Sequence, residues 1–334
     1  MTTQTAAAPQ PRTSIMRTDA ARKLLAFAGL LVLVIVYSIL SPVFLTFNNL
    51  VAIILATAVN GVLALGVTFV IITGGIDLSV GTVMTLTAVM AGVFITYWGL
   101  PVWVGVLGAI GTGAIAGLLT GTIVSRMKIP PFIATLGMFY VAKGLALVIS
   151  DLRPIYFVDT PLFQKVAMGS LIGQVVPAFP IPNAVLILFG AAIVAWVILS
   201  KTVLGRYTFA IGSNEEATRL SGVKVNNWKT LVYMLSGMFA GLGGVLMASR
   251  LNSAQPALGA GYELDAIAAV VIGGTSLSGG EGSILGTIIG AFVISVLTNG
   301  LRLLSVPQEW QMVVTGAIVV IAVYLDVLRR SRMK

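Results

Sequence analysis

Hydrophobic residues in this chain come in long runs rather than in alternation, and Gly, Pro or single polar residues separate one run from the next. Each run approaches the roughly 20 residues an α-helix needs to cross a hydrocarbon core of about 30 Å. The pattern predicts ten spans, at 24–41, 49–72, 78–97, 102–124, 131–150, 183–200, 229–249, 263–279, 283–303 and 309–328. It therefore predicts an all-α polytopic membrane protein and not a β-barrel, whose strands would alternate. The eighth span, "ELDAIAAVVIGGTSLSGG", is the shortest on apolar content and ends in glycine and serine.

Charge fixes the expected direction of these spans. Residues 1–23 are polar and carry Arg12, Arg17, Arg22 and Lys23 without a convincing cleavage site after the first apolar run, as expected of an uncleaved signal anchor with a cytoplasmic N-terminus. The segments then predicted to face the cytoplasm are the tail 1–23, 125–129, 200–230 and the tail 329–334, and they hold most of the 20 Lys and Arg residues. If the eighth span only dipped and returned, the basic C-terminal tail would lie outside. A crossing is therefore expected there. The membrane domain covers 24–328, with a proline-rich outer loop at 151–182, containing Pro154, Pro161, Pro177, Pro180 and Pro182, and a polar inner loop at 201–229. The outer loop reads as an ordered cap or docking surface.

Composition narrows the chemistry. The chain is 57% hydrophobic and 9% charged, with a mean hydropathy of +1.02, more apolar surface than a soluble core can hide. It has no Cys and no His, which removes disulfides, thiol redox chemistry, Cys/His zinc sites and imidazole proton relays. The net charge of +9 follows membrane topology instead of marking a nucleic-acid surface. No lysine follows a glycine, so no phosphate-binding G-x-x-x-x-G-K-[ST] loop exists.

An internal echo singles out two stretches. "GGIDLSVG" at 74–81 aligns without gaps to "GGTSLSGG" at 273–280, an offset of 199 residues. Both lie between an inward and an outward span, as a duplication of spans one to four as seven to ten would require, although Gly and Ser are also common in ordinary membrane turns. Gly74, Gly75, Asp77, Ser79 and Gly81, with Gly273, Gly274, Ser276 and Gly280, are the candidate hinges near a cytoplasmic gate. Asp77 is expected close to the membrane boundary, as the N-cap of span three, accepting from N–H groups around Val80.

In the inner loop, "GSNEEATRLSG" predicts a short amphipathic helix. Ser213 and Glu216 have capping-box spacing, Glu215 and Glu216 sit at the positive end of the dipole, and Gly222 can end the helix in the left-handed conformation. Such a helix is either an ordinary interfacial element or a surface that a partner grips. Gly113, Gly117 and Gly121, Gly282, Gly286 and Gly290, and Gly237 with Gly241 form smooth stripes for close helix contact, within one subunit or between two. Lys143 alone among the charges lies well inside a span, either snorkelling or lining a path. Asn60, Thr68, Thr85, Thr87, Asn299 and Gln311 are the small polar residues within or beside spans, with no obvious convergence.

Three motifs, "ITGGIDLSVG", "GRYTFAIGSNEEATRLSGVKV" and "SAQPALGAGYELDAIAAVVIGGTSLSGGEG", together closely resemble the permease subunits of bacterial ABC-type monosaccharide importers, ribose permeases above all. The resemblance runs from about Leu24 to the end of the chain. It implies a type II ABC-importer-like permease fold in the bacterial inner (cytoplasmic) membrane with both termini cytoplasmic, and a homodimer whose interface forms the sugar path. It further implies cytoplasmic ATP-binding subunits that hold ATP and magnesium, and a periplasmic or lipid-anchored sugar-binding protein. On this resemblance, Ser213, Asn214, Glu215, Glu216, Ala217, Arg219, Leu220 and Gly222 make up the ATPase-coupling helix. The chain itself would be no enzyme and bind no cofactor or metal, and its partners would be a second copy, those subunits, the monosaccharide and membrane lipid, with no nucleic acid. An ion-coupled secondary transporter is the alternative, although the sparse acids disfavour proton coupling. A receptor or scaffold would not need two glycine-broken turns. No tight sugar site is expected on this subunit, because it would slow release.

Overall fold

The structure, a computed structural model, describes residues 13–177 and 179–331; residues 1–12 of the predicted N-tail and 332–334 of the C-tail lie outside the described residues. The first half contains α1 (Thr13–Leu40), α2 (Phe47–Ile72), α3 (Val80–Gly92, continued by a π-helical turn Val93–Tyr97), α4 (Val102–Ser125) and α5 (Pro131–Ile149). The loop predicted to face outward follows, with β1 (Ile155–Tyr156), α6 (Pro161–Met168) and α7 (Leu171–Val175). After α8 (Asn183–Lys201) come α9 (Val203–Ser213) and α10 (Glu215–Leu220) of the inner loop. The chain ends through α11 (Val225–Leu251), β2 (Ser253–Ala254), α12 (Tyr262–Ile272), α13 (Ile284–Leu303) and α14 (Gln308–Ser331). Helix α1 begins at Thr13, so part of the segment read as a polar tail is helical.

Eight of these helices are long and apolar enough to cross a membrane, which makes this a multi-pass membrane protein. They sort by burial. Most of α2, α3, α11 and α13 is enclosed by protein, whereas α1, α4, α5 and α8 expose apolar faces such as Ile39, Trp103, Tyr140 and Ile193. Helix α11 packs against α4, α2 and α3, and α13 packs against α2, α12 and α1. Helix α1 thus rests on α13, and α11 on α3.

Span eight is corrected by the structure. Helix α12 has 11 residues, about 16 Å of rise, too short to cross alone. The chain nevertheless covers the distance, because 255–261 runs back beside α3 through successive turns before the helix begins, Leu258 N donating to the Gln255 carbonyl and Tyr262 N to the Gly259 carbonyl. β2 pairs antiparallel with β1 at the end of the bundle opposite α10, and the Thr85 hydroxyl then holds the Leu258 carbonyl at 2.8 Å, about 8 Å along α3 from its start. Pro256 and the left-handed Gly259 and Gly261 explain why no helix forms sooner. Irregular backbone at membrane depth is tolerable only when protein covers it, and Gly81 supplies that cover: a Cβ there would collide with the Gly259 carbonyl and the Glu263 side chain.

The glycine stripes resolve as contacts within the chain. Gly113, Gly117 and Gly121 of α4 face Gly237, Tyr233 and Thr230 of α11, and Gly286 and Gly290 of α13 face Gly273 and Ala269 at the end of α12. Helix α6 is tied to α11, with the Ser249 hydroxyl of α11 donating to the Phe163 carbonyl and accepting from Ala167 N.

Because a Cβ on Gly237 would run into the Gly113 carbonyl, Gly237→Val should lower stability by about 1–3 kcal/mol in thermal unfolding in detergent. Gly137→Ala, whose Cβ would meet open space, should leave the midpoint unchanged.

Candidate functional site

Helices α2 and α12 stop in the same way. Thr73 and Gly273 are the C-caps, Gly74 and Gly274 follow with φ of +78° and +91°, and each turn closes with the same pair of backbone bonds. Gly74 N donates to Ile71 O and Gly75 N to Val70 O; Gly274 N donates to Val271 O and Thr275 N to Val270 O. This is the Schellman arrangement, and a left-handed residue is what makes glycine necessary at 74 and 274. The structural register of the two turns is 200 residues, one more than the gapless sequence offset. Gly74 therefore matches Gly274 and not Gly273.

The turn after α2 touches the far end of the second glycine stretch. The Ile72 carbonyl, left over at the end of α2, accepts from Gly280 N at 2.9 Å, and a Cβ on Gly74 would sit 3.8 Å from the Ser278 carbonyl. The last turn of α9 closes the cluster: a Cβ on Gly212 would strike both the Ile72 carbonyl and Gly280 N. Three segments distant in sequence, 72–75, 210–213 and 278–281, so form one junction at the α10 end of the bundle.

Asp77 stands differently from the expectation. Its side chain is 3% exposed and faces Ser236, which lies about 16 Å along α11 from that helix's start at Val225, deep in the bundle and not at its boundary. Nor does it cap α3: Ser79 occupies the N-cap position, with no side-chain cap bond. Asp77 Oδ1 accepts from Ser79 N at 3.0 Å and from Ser79 Oγ at 2.6 Å, and Oδ2 accepts from Ser236 Oγ at 2.9 Å. Three donors compensate the desolvated carboxylate. Across the junction Ser276 is fully buried, its N–H donating to the Glu281 carbonyl.

The polar segment between α8 and α11 folds as two helices meeting at a kink. Ser213 ends α9, and the cap of α10 is Asn214, whose Oδ1 accepts from Ala217 N at 2.9 Å; the expected capping box from Ser213 to Glu216 is therefore displaced by one residue. Glu215 pairs with Arg219 at 2.8 Å and with Lys229 of α11 at 3.0 Å, tying α10 to the neighbouring span. Gly222 ends the segment with φ +83°. Glu216, Ala217, Arg219 and Leu220 point away from the protein, Leu220 at 82% exposure, beside a cavity of about 370 Å³ lined by Tyr207, Ala210, Asn214 and Thr218.

The small polar residues within or beside the spans do not converge, and most bond to other parts of the chain. Thr68 bonds Thr287 at 2.7 Å, Asn299 donates to Asn49 at 3.0 Å, Thr87 bonds the Met84 carbonyl, Gln311 the Val306 carbonyl and Thr85 the Leu258 carbonyl. Asn60 and Asn299 each keep a buried Oδ1 without a partner. Lys143 is half-buried on α5. Among the described residues no group of three or more acidic side chains is placed to hold a metal. Gly212, Tyr233 and Ser236 escaped the sequence reading because nothing in local spacing ties them to residues 72–79.

Comparison with known proteins decides the family. The family model described as "Branched-chain amino acid transport system / permease component" matches residues 49–323. The chain belongs to this permease family. The permease is 46% identical over 306 residues to the ribose import permease protein RbsC of Bacillus subtilis (strain 168), covering 91% of this chain and 92% of that one. It is 44% identical over 303 residues to RbsC of Escherichia coli (strain K12), covering 89% and 91%. To the galactose/methyl galactoside import permease protein MglC of the same strain the permease is 36% identical over 322 residues, covering 92% and 95%.

The Asp77 geometry makes a sharp contrast between variants. Asp77→Ala strands two buried serine hydroxyls and should cost the permease about 1–3 kcal/mol in chemical or thermal unfolding. Asp77→Asn, able to accept from Ser79 and donate to Ser236, should fold with most of that stability retained.

Proposed function

We propose that this permease is the membrane subunit of an ATP-driven monosaccharide import system of the ribose type, forming the translocation path as a homodimer in the bacterial cytoplasmic membrane. Both termini and the α9–α10 segment face the cytoplasm, where an ATP-binding subunit holding ATP and magnesium grips α10. A periplasmic or lipid-anchored sugar-binding protein delivers substrate over the ordered loop 151–182. The names of the relatives support the substrate class, and ribose leads because the two RbsC proteins are 44–46% identical.

The observation that carries the mechanism is the junction at Ile72, Gly212 and Gly280. A helix gripped by a partner does mechanical work only if its displacement reaches the spans, and α9 transmits it through direct backbone contact with the ends of both glycine turns. Glycine at 212 leaves no side chain to act as a compressible cushion. The Glu215–Lys229 pair passes the same displacement to α11. The buried turns carry it onward to α3 and α13, whose N-terminal ends they set.

Leu220 is the exposed apolar end of α10, and the chemistry of a gripped helix assigns it to the partner's cleft. Leu220→Asp should therefore leave the isolated permease as stable as before and reduce sugar-stimulated ATP hydrolysis of the reconstituted complex by about tenfold. Uptake driven by a proton or sodium gradient in vesicles holding the permease alone would contradict the ATP-driven reading.

A further inference from the structure

Tyr233 has a hydroxyl that its surroundings do not use. The side chain is wholly buried on α11, facing the turn after α2, and its Oη has no hydrogen-bond partner. It abuts Gly75, where a Cβ would lie 2.6 Å from Oη. A phenylalanine would fill the same space, and an unmade bond from a buried donor is costly, so packing alone does not account for the hydroxyl.

The neighbouring turn of α11 holds the acceptor such a hydroxyl would need. Tyr233 and Ser236 are three residues apart and share a helix face, and Ser236 holds Asp77 at 2.9 Å. The connection from Gly75 to Asp77 runs along that face, from Tyr233 to Ser236. A shift of the connection along α11 by about one helical turn or less, helped by the length of the tyrosine side chain, brings the carboxylate from one hydroxyl to the other. Ile72, at the head of this connection, is the residue that α9 touches.

We infer that Tyr233 is the alternate partner of Asp77, so that the carboxylate bonds Ser236 in the state seen here and Tyr233 in the opposite state of the transport cycle. Each state then keeps the buried acid satisfied, and passage between them trades one hydroxyl for another without exposing a bare carboxylate to hydrocarbon. Tyr233 acts as a positioning residue: it touches no sugar and sets the relative population of two arrangements. The inference rests on the ATP-driven importer reading for its cycle, but not for its geometry.

The test uses Tyr233→Phe in the full chain, with two readouts. Because the hydroxyl is unbonded in the present state, the variant's unfolding midpoint should equal or exceed that of the unaltered protein. Because the second state loses its acceptor's donor, ATP-driven uptake of labelled ribose by the complex with its ATP-binding subunit and sugar-binding protein should fall by about tenfold. Ser236→Ala should do the reverse to stability, lowering the midpoint. A Tyr233→Phe protein that imports at the full rate overturns the inference, and so does one with a lowered midpoint, since the hydroxyl would then already be in use. Absence of import by the unaltered complex would instead overturn the importer reading.

Discussion

Everything at the α10 end of this protein depends on how one leftover carbonyl is satisfied. A helix ends with acceptors that its own turns cannot pair, and at Ile72, fully buried in protein, water does not reach them. The Schellman turn after α2 takes two of them, and the Ile72 carbonyl is taken by Gly280 N from the other half of the chain. That bond fixes the end of α2 to the far end of the second glycine stretch. It also leaves so little room that only a glycine, Gly212, can bring the last turn of α9 alongside. The junction is thus a consequence of backbone accounting before it is a mechanism.

The same constraint organises the middle of the bundle. Wherever the chain abandons helical pairing inside the membrane domain, a small residue lets neighbouring protein close over the break. Gly81 covers the irregular approach to α12, Thr85 takes the Leu258 carbonyl's free lone pair, and Ser79 and Ser236 surround Asp77. The central helices α2, α3, α11 and α13 can pack this closely because glycine faces line α4 and α11, and again α12 and α13. In a bilayer no hydrophobic force drives helices together, so such close faces and the few bonds between helices, such as Thr68 with Thr287 and Ser125 with Thr230, hold the arrangement.

Much of this could be read from the sequence, and the misses share a cause. Span positions follow from apolar length, and the left-handed Gly222 from its place after an amphipathic turn. The paired glycine stretches stood out by repetition, but their true register differs by one because the first turn begins with Thr73 where the second has Gly273. The α10 cap fell one residue late because Ser213 and Asn214 both have capping side chains, and local spacing could not choose between them. Helix α12 and the depth of Asp77 were missed for a deeper reason. An irregular segment at 255–261 and a buried acid at 77 are both stabilised by residues far away in sequence, Gly81 and Thr85 for one, Ser236 for the other. Periodicity carries no signal of such partners.

The central claim is that segments from both halves of the chain meet beside α10, and the chain's lack of cysteine makes it directly testable. Ser213 and Ser278 are both exposed, and a Cβ on Gly280, two residues from Ser278, would lie 2.9 Å from Ser213 Oγ. With Ser213→Cys and Ser278→Cys introduced together, a short bifunctional thiol reagent added from the cytoplasmic side should join them efficiently, while each single variant reacts from that side alone. Ser278→Cys reacting only from the outside, or two reactive cysteines that no short reagent joins, would contradict the account.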